Sequence, residues 1–208
     1  MLTALHRPWS TVARGLHPQR NQSGVAVWAH LYLMVRSGHP REALELAQGA
    51  YADYFRAREP NFPAALQAFL ASEDGSLPGD LRGALQQRRG DYSDPFRQVL
   101  VKILTRADLA HKTVPDVIKS SDDYLWLQLY LVRVGSPVPE ARAAEAYPLQ
   151  ELQASLTKLG PKYFNASGRG TATNPLKYFI VLVLSVQYEQ VTCRAGARGH
   201  GGRQLRVG

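Results

Sequence analysis

From Tyr124 to Val134 the chain reads YLWLQLYLVRV, with only Gln128 and Arg133 as polar interruptions. A run this apolar does not suit a one-faced surface helix, which must turn polar side chains to water on each turn. Strand signals are missing along the chain: no alternating Val/Ile/Thr runs are joined by Asn-Gly or Asp-Gly turns. The stretch therefore predicts a helix with neighbours on most sides. The residues before it, Ser120-Ser121-Asp122-Asp123, fit its start. Ser120 or Ser121 can accept from the first free amides, and carboxylates in the first turn are favoured by the helix dipole. Paired acids against an apolar wall could also serve general acid/base chemistry. No nucleophile, histidine partner or metal-ligand spacing accompanies them, so they are read as marking the helix start.

The rest of the chain follows the same logic. VAVWAHLYLMVR (25–36) is apolar nearly all round and is stopped by SGHP (37–40), where Gly38 can end a helix and Pro40 cannot continue it. REALELAQGAYADYFRA (41–57) then places Leu44, Ala47, Tyr51, Tyr54 and Phe55 on one face and predicts an antiparallel partner. Weaker helices are expected at 62–71 and 79–88. Over 94–107, DPFRQVLVKILTRA sets Phe96, Val99, Leu100, Ile103, Leu104 and Ala107 at helical spacing, with Asp94 as N-cap and Pro95 at the first helical position. PLQELQASLTKLG (148–160) carries Leu149, Leu152, Leu156 and Leu159 as a narrow stripe, with Gly160 and Pro161 as stop signals. PLKYFIVLVLSVQYEQ (175–190) is again almost wholly apolar.

Fully buried helices (25–36, 124–134, 176–186) thus alternate with one-faced ones. That mixture predicts an all-α fold, an irregular α-solenoid of stacked antiparallel helix pairs without a fixed repeat length. No stretch approaches the roughly 18 apolar residues of a membrane span.

The net charge of +8 belongs to the chain's ends. Residues 1–41 hold five Arg and no acid, and 191–208 hold four Arg and no acid. The remaining 16 Lys and Arg face all 17 acids, leaving 42–190 at −1. A near-neutral middle argues against a nucleic-acid-binding face. Residues 1–23 are expected to be unstructured or a mispredicted start, with an organelle transit peptide as the weaker alternative. The tail VTCRAGARGHGGRQLRVG (191–208) cannot bury a face. It is expected to be a disordered Arg/Gly-rich segment and is best explained as a gene-model artefact.

Chemistry is sparse. The single cysteine, Cys193, excludes an internal disulfide framework and a cysteine zinc site. His30, His39 and His111 have no ligand-spaced partners, and His30 within its apolar helix reads as a satisfied core residue. Asn21 and Asn165 begin glycosylation patterns, without a secretory signal. Gly168-Arg169-Gly170 has no preceding strand to make it a phosphate cradle. No catalytic residue, cofactor site or metal site is expected, so the chain is not read as an enzyme.

Two blocks carry a resemblance. Asp94-Pro95-Phe96 opens one helix, and a short linker leads to Asp123-Tyr124-Leu125-Trp126-Leu127. Upstream lies a Trp28-bearing helix with a Gly turn and an Ala/Leu-rich partner; downstream lies a Tyr/Phe-rich helix ending in Gln, an aromatic and Glu. Over roughly 24–190 the chain resembles the nucleoporin-interacting-component family, the linker scaffold subunit of the nuclear pore inner ring. The match is most specific over 94–132. The resemblance implies an interior solenoid fragment acting as architectural adapter at the nuclear pore complex in the nuclear envelope. The implied partners are other scaffold and linker nucleoporins, without small-molecule substrate, direct nucleic-acid contact or membrane span. Its signature residues are structural: Trp28, Asp94, Pro95, Asp123, Tyr124, Leu125, Trp126 and Leu127. The family's N-terminal coiled-coil region and the second half of its solenoid have no counterpart in these residues. A generic helical-repeat interaction module, or an RNA-binding protein using its basic ends, are the alternative readings.

Overall fold

A computed structural model describes residues 24–87, 94–133, 146–164 and 175–188. The expectations for 1–23, for 165–174 and for 191–208 fall outside the described residues. Among the described residues the regular structure is helical: α1 (Val27–Arg36), α2 (Pro40–Gln48), α3 (Ala52–Arg58), α4 (Asn61–Ala71), α5 (Gly79–Gln87), α6 (Pro95–Thr105), α7 (Ser121–Leu131), α8 (Leu149–Phe164) and α9 (Pro175–Leu184). They fall into two compact units, α1–α6 with the loop through Lys119, and α7–α9.

In the first unit α1 packs on α2 and α6, α2 on α4, and α5 on both α4 and α6. The turn from α1 into α2 is built as the sequence suggests. Gly38 takes φ +86°, His39 N–H donates to Met34 O at 2.8 Å, and Gly38 N–H donates to Val35 O at 3.2 Å. This pair of bonds satisfies carbonyls that the helix end would otherwise leave open.

The expected helix over 41–57 is two. Gly49 N–H closes on Glu45 O, and Tyr51 N–H reaches back five residues to Leu46 O at 2.8 Å. The break is local, at Gly49-Ala50-Tyr51, where a small residue without helix preference sits mid-pattern. Beyond it, Tyr54 and Phe55 of α3 lie edge-on to Trp28, with Phe55 at 5.1 Å and Tyr54 at 6.5 Å between ring centroids. Phe62 of α4 closes the cluster at 4.6 Å from Trp28 and stacks on Phe55. Pro63 costs α4 nothing, because first-turn N–H groups have no intrahelical acceptor.

Helix α6 was expected to be one-faced and is instead buried around most of its circumference. Phe96, Val99, Leu100, Ile103 and Leu104 are buried as the spacing predicts, but so are Arg97, Val101 and Thr105. The reason is its position: α1, α4 and α5 all pack against it. Such a helix can carry a buried Arg97 only because the charge is met, and Glu59 at the end of α3 meets it (Nη2 to Oε2 2.7 Å, Nε to Oε2 2.9 Å).

In the second unit α8 packs on α7 and on α9. Gly160 and Pro161 do not stop α8, which continues to Phe164. A proline inside a helix forfeits a backbone hydrogen bond at a cost of about 3 kcal/mol, so packing must offset it. Gly160 is where the gain is visible: it is buried, and a methyl group built there would overlap the Tyr178 ring of α9. Tyr178 is itself 2% exposed, with its hydroxyl donating to Leu156 O at 3.2 Å, so the ring cannot swing aside. Alanine for glycine inside a helix ordinarily adds about 0.5–1 kcal/mol of stability. Gly160→Ala is expected to reverse that sign and lose about 1–3 kcal/mol through overpacking, measured by urea denaturation. A gain in stability would show that the Tyr178 ring yields to the added methyl group.

Candidate interaction surfaces

Asp94 and Pro95 form the start of α6. Asp94, fully buried, accepts from the N–H groups of Phe96 (2.9 Å) and Arg97 (3.4 Å), and Pro95 occupies the first turn. At α7 the opening serines and acids form a capping box. Ser120 Oγ accepts from Asp123 N–H at 3.1 Å, while the Asp123 carboxylate accepts from Ser120 N–H at 3.3 Å. Asp122 reaches Lys177 of α9 at 3.0 Å, an exposed pair that contributes little.

The α7 run is less enclosed than its composition implies. Leu125, Leu127, Gln128 and Leu131 are buried, whereas Tyr124, Trp126, Leu129 and Tyr130 are half-buried and Asp122 is exposed. The cause lies in which side chains tolerate partial wetting: Tyr and Trp keep a polar tip, so an aromatic-rich helix can look uniformly apolar yet bury one side only. Trp126 and Tyr130 lie 4.9 Å apart, one turn from each other on that half-buried side. Gln128 is retained in the interior by the Tyr147 hydroxyl, which donates to it at 2.8 Å; burial pushes that phenol's ionisation upward.

Trp28, Asp94, Leu125 and Leu127 are thus buried, while Asp123, Tyr124 and Trp126 sit at or near the surface of α7. His30 is half-buried, with Nδ1 2.6 Å from the Tyr51 hydroxyl, and burial lowers its pKa. It links α1 to the α2–α3 corner.

Among the described residues, two open surfaces stand out. A groove of about 650 Å³ lies between α6 and the following loop, with Gln98, Val101 and Lys102 on one side and Asp108, His111 and Val114 on the other. Lys102 donates to the carbonyls of Ala107 (3.2 Å) and Asp108 (2.8 Å), capping the end of α6, and burial lowers its pKa. Asp108 pairs with His111 at 3.0 Å, and that hydrogen bond holds its carboxyl below the usual range. These groups shape the groove wall by tying the loop down.

The second surface is α9. The helix was expected to be fully buried, and only one side is. Tyr178, Val181, Leu182 and Ser185 pack inward, while Leu176, Phe179, Ile180 and Leu184 stand exposed, Leu176 at 65% and Ile180 at 52%. The stripe continues past the helix end through Val186 and Tyr188. That end is closed by Gln187 N–H to Leu182 O (2.8 Å) and Val186 N–H to Val183 O (3.0 Å), with Val186 at φ +61°. The helix therefore ends after Leu184 in a hydrogen-bonded cap. Neither the cap nor the exposed side was legible, because an all-apolar helix shows no polar face from which to read orientation.

Contiguous apolar stripes of this kind drive association. The full chain is expected to be helical but poorly soluble. Ile180→Lys with Leu184→Lys should raise its soluble yield several-fold with an unchanged far-ultraviolet dichroism spectrum. A wild-type chain that behaves as a sharply melting monomer would refute this. No described helix is long and apolar enough to cross a membrane.

Comparison with known proteins supplies the family. The family model described as Nup93/Nic96 matches residues 13–192. The chain belongs to the Nup93/Nic96 family. Among its relatives, the Meiotically up-regulated gene 87 protein of Schizosaccharomyces pombe is 30% identical over 80% of this chain and 20% of its own length. Nucleoporin NIC96 of Chaetomium thermophilum is 28% identical over 81% of this chain and 16% of its own length. Nuclear pore complex protein Nup93-1 of Drosophila melanogaster is 28% identical over 84% and 20%. The chain thus spans about a fifth of the length of the relatives it matches. The crystal structure of Chaetomium thermophilum Nic96 SOL shares the fold, with a TM-score of 0.70 at 24% identity over 86% of this chain and 26% of that one. The all-α solenoid class read from the sequence is the class of this Nup93/Nic96 member.

Proposed function

We propose that this Nup93/Nic96-family chain is a structural scaffold element of the nuclear pore complex, residing at the nuclear envelope and contributing to pore assembly and hence to nucleocytoplasmic transport. It works through protein–protein contacts with other scaffold and linker nucleoporins, without chemistry of its own. The observation that carries this reading is the family match over residues 13–192, laid on a helical body. Relatives carrying the match are named as nucleoporins in Chaetomium thermophilum and Saccharomyces cerevisiae. Residues 24–190 are the solenoid part. Trp28, Asp94, Pro95 and Asp123 to Leu127 act in that part as folding determinants rather than as contact residues. Among the described residues, the surfaces available for contact include the α9 stripe and the groove beside α6.

The test is to tag the full 208-residue chain at its own locus, image it and identify what co-purifies by mass spectrometry. A punctate nuclear rim with enrichment of pore inner-ring subunits is the expected result. A diffuse signal with unrelated partners would overturn the proposal.

A further inference from the structure

We draw no further inference here: the strongest candidate, the exposed apolar stripe of α9 formed by Leu176, Phe179, Ile180 and Leu184, carries nothing because nothing in the structure shows whether a second copy, a partner helix or further chain covers it.

Discussion

Arg97→Ala is expected to destabilise the chain by about 3–5 kcal/mol, because it leaves Glu59 charged and buried without its partner. Both side chains are almost fully enclosed, at 2% and 5% exposure, so water cannot replace the lost bonds. For a chain of this size the loss corresponds to a fall in melting temperature of about 6–20 °C. Thermal unfolding followed by far-ultraviolet dichroism would read it. Glu59→Ala should cost a similar amount for the mirrored reason, with the guanidinium now stranded. The pair as a whole is not expected to be worth that much, since desolvating both charges consumes most of their attraction. The double variant Glu59→Leu, Arg97→Met should therefore lie much closer to wild type than either alanine variant. Equal losses for single and double variants would show that packing at these positions, and not the unpaired charge, sets the cost. What the pair supplies is position: it ties the end of α3 to the first turn of α6 across 38 residues of chain.

This pair also marks where the sequence stops being informative. Helix starts were legible because their determinants are local. Asp94-Pro95 and Ser120 with Asp123 cap within three residues, and Gly38 ends α1 through its own backbone freedom. Local signals failed where a distant group decides the outcome. Gly160-Pro161 carries every mark of a helix stop, yet Tyr178, 18 positions later, occupies the space that the missing Cβ leaves. Arg97 sits on the predicted polar side of α6, where neighbouring helices close over it and Glu59, 38 positions earlier, meets its charge. The contact surfaces were hardest of all. Orientation is encoded by contrast between faces, and α9 has almost none, so its open side appears only once α8 is seen on the other.

Trp28→Ala is the second large effect, at about 3–5 kcal/mol by loss of a buried aromatic and the cavity left behind. Trp28 is 1% exposed, and Tyr54, Phe55 and Phe62 reach it from α3 and α4, so removing it loosens three helices at once. Trp28→Phe keeps part of the contact and should cost less than half as much. The Arg97 guanidinium also lies 5.9 Å from the Trp28 ring centroid, which couples this change to the ion pair. A double-mutant cycle of Trp28→Ala and Arg97→Ala, read by urea denaturation, should show the two losses failing to add by about 0.5–3 kcal/mol. Strict additivity would mean that the ring and the ion pair are independent supports. The functional consequence separates core from surface. Trp28→Ala should lower rim incorporation only in proportion to the folded protein remaining, because the residue is sealed inside. Ile180→Lys with Leu184→Lys should leave the folded fraction intact and reduce incorporation directly. If both variants lost the rim in step with protein level, the α9 stripe would have no role beyond limiting solubility.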